Sequence, residues 1–259
     1  MKLLFFTLFS FASMVYAQKS FKVVYEADYR LVYKDLKNTD FQQEEAFALL
    51  MNERESYFKS MNKYIGDSLK FEKKITDVSD ISLHMKYDTS FPENIGITSG
   101  KIYVTIPISD KNFKYEEQND FNWKLHNEFK KIDKYTCQKA TIKKYGRVWI
   151  AYFTAAIPLP FGPYKFNKLP GLILEVYDDK GDYRFEMYSF KKRKYLCKSA
   201  NINANAKFVS KSKIFDYKRN DMANQDKYND YIEDPETLKL LKQKILEKSK
   251  KYNPLELEL

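Results

Sequence analysis

Few residues in this chain could do chemistry by type, and fewer by spacing. The two histidines are His84 and His126. Each falls on the polar side of an alternating segment, without the clustered Cys, His or carboxylate neighbours a metal site needs. The run "YDDKGDY" holds Asp178, Asp179 and Asp182. Its glycine comes too early for a calcium loop, and no acidic residue closes that loop in register. The run reads instead as a hairpin tip. No G-x-S-x-G elbow, Walker loop or G-x-G-x-x-G occurs. No catalytic residue, metal or cofactor is therefore expected. A carboxylate pair assembled only in space is the alternative that would make the chain an enzyme.

The other reactive candidates are Cys137 and Cys197. In an exported protein an even pair suggests a disulfide. It would close a loop of about 60 residues and contribute roughly 4 kcal/mol on the chain-entropy account. Two separate buried thiols are the alternative. A basic run, Lys191, Lys192, Arg193 and Lys194, could contact phosphates or an acidic partner. The plainer reading is a solvated edge strand guarded by lysine.

These expectations rest on the compartment. The chain opens "MKLLFFTLFSFASMVYAQ". Lys2 is a short positive region, Leu3 to Phe11 an apolar core, and Val15 and Ala17 are small residues ahead of Gln18. That is the pattern of a secretory signal over residues 1–17, with 18–259 as a single exported domain. Gln18 is not the cysteine that lipoprotein processing would need. No later stretch is long and apolar enough to span a bilayer as a helix. The periplasm or the cell surface is expected, and nucleic acid is not an expected partner. The 259 residues carry a formal net charge of +10, and the 44% hydrophobic content can supply a sizeable core. The positive balance suits anionic surfaces such as lipid or glycan phosphate, or simply solubility.

The elements that must position any site are mostly strands. "FKVVYEADYRLVY" sets Phe21, Val23, Tyr25, Ala27, Tyr29, Leu31 and Tyr33 against Lys22, Glu26, Asp28 and Arg30, a half-buried strand. "ISLHMKY", "KIYVTIPIS" and "FNWKLHNEF" alternate in the same way. "RVWIAYFTAAI" is apolar on both faces and predicts a central strand covered on both sides. Hairpin turns are predicted at "KYGR" and "DKG". "FQQEEAFALLMNERESYFKSM" suits helix or strand. Strand is preferred, with a turn at Asn52-Glu53. "NKYIGDSLKF" predicts a short helix. "EDPETLKLLKQKILEKSKKYNP" predicts a C-terminal helix capped by Asp234. The expected fold is mainly β: long antiparallel strands in a curved sheet or half-open barrel, with that helix packed on it.

The segment Tyr135 to Asp178 combines several marks. They are Tyr135-x-Cys137-x-Lys139-Ala140, Gly146-Arg147, Phe153-Thr154 and Ile157-Pro158. Gly162-Pro163-Tyr164-Lys165-Phe166 and Leu169-Pro170-Gly171-Leu172-Ile173-Leu174 follow. This resembles the signature of the GLPGLI family, exported proteins of one large group of Gram-negative bacteria. Lys168 stands where the motif expects its first glycine, and Tyr152 where Trp is expected. If that position needs positive φ, Lys168 is strained by roughly 1–2 kcal/mol. The resemblance implies an exported β-rich domain and brings no reaction, cofactor or catalytic residue with it.

The loop itself invites two readings. Pro163, Pro170 and Gly171 can fix a sharp re-entry into a strand, while Tyr164, Phe166 and Leu169 plug one end of the core. The same residues, with Gly162 and Leu172, could instead form the lip of an apolar cleft. The expected function is a non-catalytic exported protein that binds an apolar or lipid-like ligand. The alternative is an interaction module for envelope or surface proteins.

Overall fold

The computed structural model describes residues 21–71, 86–98, 100–108, 111–198, 205–226 and 229–259. The predicted leader at residues 1–17 lies outside them, as do His84 and most of the strand predicted at "ISLHMKY". Lys86 and Tyr87 at its end are helical and turn residues, not strand.

Strands dominate. They are β1 (Phe21–Tyr33), β2 (Gln43–Met51), β3 (Ser56–Ser60), β4 (Asn94–Ile97), β5 (Lys101–Ile108) and β6 (Lys111–Gln118). Then come β7 (Lys124–Ile132), β8 (Tyr135–Lys144), β9 (Arg147–Thr154), β10 (Leu172–Asp178), β11 (Tyr183–Cys197) and β12 (Lys207–Phe208). The helices are α1 (Met61–Phe71), α2 (Lys211–Ala223) and α3 (Pro235–Lys251). The strands form one open sheet in the order β12-β6-β5-β4-β3-β2-β1-β11-β10-β9-β8-β7. Among the described residues, only the short β12 pairs in parallel, with β6.

Local chemistry accounts for the hairpins. Asn52 Oδ1 accepts from the Arg54 and Glu55 amides, turning β2 into β3. The ambiguous segment is thus a hairpin, as preferred. Tyr145 and Gly146 both have positive φ, the two-residue turn whose twist matches the strands it joins. Gly181 has φ 68° between β10 and β11.

The order of strands forces curvature. β6 and β7 are consecutive in sequence but lie near opposite ends of the sheet. In a flat sheet they would sit about 48 Å apart, at some 4.8 Å per strand. The connection from Gln118 to Lys124 reaches about 21 Å at most. The sheet must therefore bend until its ends approach. It bends around the face carrying Ala27, Tyr29, Phe47, Leu49, Ile102, Val104, Trp149 and Phe153, which form one buried cluster. The predicted half-open barrel is this curved, unclosed sheet.

Three sequence expectations need correction. β9 is not covered on both sides: Trp149, Ala151 and Phe153 are buried, while Val148 keeps 39% exposure and Ile150 and Tyr152 are half-buried. β7 is an edge strand with a register break between Leu125 and Phe129, and both side chains stay largely exposed. Cys137 and Cys197 are both buried and do not form a disulfide. β8 and β11 are three strands apart, about 14 Å, and a disulfide needs its Cα atoms within about 7 Å. Cys197 packs instead with Phe21, Val23, Ala48 and Leu50 under α1, on the outer face.

The predicted C-terminal helix is α3. Asp234 accepts from the Thr237 amide, Pro235 opens the first turn, and Lys248, Lys250 and Lys251 sit at the negative end of the dipole. It packs along α2, which sends Ile214 into the core. None of the residues of α3 is itself buried.

Candidate functional site

The loop between β9 and β10 fills the seam that curvature leaves between the sheet ends. It is knitted to itself: Lys168 N donates to Pro160 O at 2.9 Å, Leu172 N to Ile157 O at 2.9 Å, and Ile173 N to Phe161 O at 3.0 Å. Gly171 is dictated by space, since a Cβ there would stand 2.0 Å from the Thr154 carbonyl oxygen. A Cβ on Gly162 would meet Ile173 at 2.8 Å. Lys168 does adopt positive φ, at 66°, so the position where the motif expects glycine is one that favours it.

Phe166, Leu169 and Leu172 are buried, with Gly162, Pro163 and Gly171; Tyr164 is half-buried and Pro170 exposed. Phe166 lies 4.7 Å from the Trp149 ring and about 6 Å from those of Phe121 and Trp123. Phe121 and Trp123 belong to the short β6–β7 connection, and Trp123 donates to the Asn167 carbonyl at 2.8 Å. The loop thus packs against the segment that draws the sheet ends together.

Between Tyr164 and Phe166 sits a residue the sequence reading passed over. Lys165 is fully buried. Its ammonium donates to Glu117, to Glu256 at 2.5 Å and to the Tyr115 hydroxyl at 3.2 Å. Lys211, opening α2, meets Glu256 at 2.7 Å and Glu117 at 3.3 Å. Tyr145 donates to Glu117 at 3.0 Å, and Tyr164 donates to Glu256. Two cations, two carboxylates and three tyrosines thus close on one another, so the cluster is neutral. Burial opposes the Lys165 charge, but Glu256 and the surrounding oxygens outweigh it and hold the ammonium well above its ordinary range. Burial likewise pushes the Glu256 carboxyl up, while Lys165 and Lys211 pull it further down, below its usual value.

A second buried cation lies nearby. Arg147 donates to Asp178 at 2.8 Å, Asp182 at 3.1 Å and Asn253 Oδ1 at 2.7 Å, and to the carbonyls of Pro254 and Leu255 at 2.7 and 3.0 Å. Asp178 also accepts from the Tyr183 amide at 2.8 Å. Two of the "YDDKGDY" acids, Asp178 and Asp182, therefore serve a hairpin and an arginine. The only local hint of these clusters was a lysine between two aromatics and an arginine after a turn. Their partners, Glu117, Lys211, Asn253 and Glu256, lie far away in sequence.

The outer face is a different surface. A groove of about 660 Å³ opens there between β7 and the strands from β10 to β2. Ile132 and Met187 give it apolar surface over the buried Leu174, and Arg30, Lys130, Glu175 and Glu186 charge its walls. Lys130 reaches from β7 to Glu175, beyond the register break, and lies 3.8 Å from the Tyr152 ring centre. Glu175 also pairs with Arg184, and Glu186 with Arg30 at 2.9 Å. Glu45, on the groove wall, is raised above the ordinary carboxyl value by burial.

The predicted basic run lies on β11 beside this face. Lys191 meets Asp28 at 3.4 Å, and Arg193 binds Glu26 through two bonds of 3.1 Å, so half of the run is already paired. His126 contacts Thr141 Oγ1 at 2.8 Å. Burial pushes the Cys137 thiol up to about 11, which makes it a poor nucleophile. Among the described residues, no three His, Cys, Asp or Glu side chains gather as a metal site. Among them too, no helix is long and apolar enough to cross a membrane.

A scan of the sequence against family profiles returns no match, and neither does a search of curated proteins. Two crystal forms of PNGF-II share the fold, each with a TM-score of 0.52 at 17% identity. The likeness covers 75% of this chain and 32% of that one, so this chain spans about a third of its length. At that identity it shows the architecture alone. A LolA superfamily protein, NE2245 from Nitrosomonas europaea, matches at a TM-score of 0.29 and 7% identity over 69% of this chain and 88% of that one. That score is too low to build on.

Proposed function

We propose that this chain is an exported, non-catalytic binding protein of the GLPGLI type that holds an amphipathic ligand in the outer-face groove. One observation carries the reading: apolar Ile132 and Met187 line the same 660 Å³ groove as charges of both signs. Ligand sites pair apolar lining with a few placed polar groups, and walls of both signs suit a zwitterionic head on an apolar tail. The space beneath the motif loop offers less support, because Phe166 and Leu169 fill it.

The probe is lysophosphatidylcholine, titrated into wild type and Ala46→Trp and followed by native mass spectrometry. Ala46 lines the groove, and an indole there occupies it. Wild type should carry the lipid and the variant should not. A wild type that stays ligand-free, both as purified and after titration, would sink the reading.

A second reading is favoured by β7. Leu125 and Phe129 stand 49% and 57% exposed on an edge strand, the kind of surface a partner protein can extend or cover. Leu125→Ser/Phe129→Ser should then lose proteins that wild type recovers from an envelope extract. Equal recovery by both would remove it.

A further inference from the structure

The segment after α3 is held as a bound peptide would be. Asn253 N donates to Asp35 O at 2.8 Å, and Tyr183 donates to the Asn253 carbonyl at 2.6 Å. The Pro254 and Leu255 carbonyls accept from Arg147, and Leu257 N donates to Tyr145 O at 2.9 Å. The side chains are read as closely as the backbone. Asn253 donates its amide to Lys34 O at 3.0 Å and accepts from Arg147, which an aspartate could not do. Leu255 enters the core cluster. Glu256 places its carboxylate between Lys165 and Lys211, where an amide would leave two ammonium groups short of charge.

The element that carries this segment is held differently. None of the seventeen residues of α3 is buried, and α3 packs chiefly on α2. At its end, Lys37 N donates to Lys251 O, and Tyr252 bridges to Leu36. A firmly seated segment thus follows a loosely seated arm.

We infer that Arg147, Lys165 and Lys211 form a recognition site for an extended acidic peptide of the Asn-Pro-apolar-Glu kind, which the chain fills in cis with Asn253–Glu256. When the arm swings out, the two lysines and the arginine demand replacement by chemistry of the same form, because buried cations without carboxylate are costly. The site therefore selects a carboxylate at its fourth position and an amide at its first.

The test uses the full chain and a fluorescein-labelled peptide, Tyr-Asn-Pro-Leu-Glu-Leu, followed by anisotropy. Asn253→Ala/Leu255→Ala loosens the cis segment and leaves Arg147, Lys165 and Lys211 in place. The variant should bind the peptide at least about tenfold more tightly than wild type, since removing the cis competitor frees the site. A peptide with Gln in place of Glu should not bind. A folded variant that binds no better than it binds a scrambled peptide overturns the proposal. If the variant does not fold, amide exchange in wild type decides. Asn253 and Leu257 amides exchanging about tenfold or more faster than those of β1 and β10 support a segment that opens locally. Exchange only at the rate of those strands overturns it.

Discussion

Two networks of like chemistry sit on opposite faces of one sheet. Inside, Lys165 and Lys211 face Glu117 and Glu256, and Arg147 faces Asp178 and Asp182. Outside, Lys130, Glu175, Arg184, Glu186 and Arg30 run as a ladder across strands. The inner cations have 0% and 2% of the Lys165 and Arg147 side chains exposed, while Lys130 and Arg184 keep 38% and 40% in water. Sequence distance does not separate the two, since the outer Arg30–Glu186 pair spans 156 residues while the inner Arg147–Asp178 pair joins adjacent strands; burial does. A desolvated pair is costly to break because the partner left behind cannot return to water, whereas an exposed pair trades one solvated state for another. The inner network therefore shapes the fold, and the outer one leaves a surface free to meet a ligand.

The sharpest way to break this contrast is inside. Lys165→Met or Arg147→Met should cost about 3–5 kcal/mol in urea unfolding, by stranding buried carboxylates. A loss no larger than that of an outer-face variant would erase the distinction.

Acid should find the same weak point. The folded value of the Glu256 carboxyl lies below its ordinary 4.5, so its contribution is present above that pH and lost as pH falls through the lower folded value. Thermal midpoints should drop below about pH 4.5 in wild type, and Glu256→Gln should be less stable at pH 7 with a shallower acid limb. Glu45 works the other way. Its value is raised, so whatever stability it lends is greatest at low pH and lost as pH rises through the folded value. Parallel limbs for wild type and Glu256→Gln would disconnect the cluster from stability.

Next in size is the motif loop. Lys168→Gly should stabilise by about 0.5–1 kcal/mol, the relief of positive φ less the added freedom of the unfolded chain. Destabilisation would mean that the Lys168 contact to the Asn119 carbonyl matters more than its backbone.

On the outer face, Arg184→Ala should change stability by about 1 kcal/mol or less. Reductant should do nothing at all, since the two cysteines form no disulfide. A midpoint lowered by dithiothreitol would restore the bridge that the strand order rules out.

Much of the scaffold was legible before any coordinates. Alternation in Phe21–Tyr33 and Lys101–Ile108 marked β1 and β5, because side-chain period is a local property of extended chain. The turn at Asn52, the hairpin at Tyr145-Gly146 and the cap at Asp234 rest on contacts within a few residues. The same local logic misled at "FNWKLHNEF". It alternates like a half-buried strand, yet its position at the sheet edge leaves Leu125 and Phe129 exposed. It misled again at "RVWIAYFTAAI", where apolar residues on both faces imply a cover that only one face receives.

Sequence by itself determined the class of fold and the hairpins, because each depends on neighbours along the chain; at Lys168 the motif resemblance raised only a conditional strain, and the positive φ is a fact of the structure. Tertiary structure alone decided that Lys165 meets Glu117 and Glu256, that Arg147 grips Asn253–Leu255, that the cysteines stay apart, and that a groove opens beside Lys130. Those outcomes follow from strand order and from the short link between β6 and β7, which bends the sheet and brings distant side chains together. No periodicity or spacing encodes that bend, since it arises from the whole sheet at once.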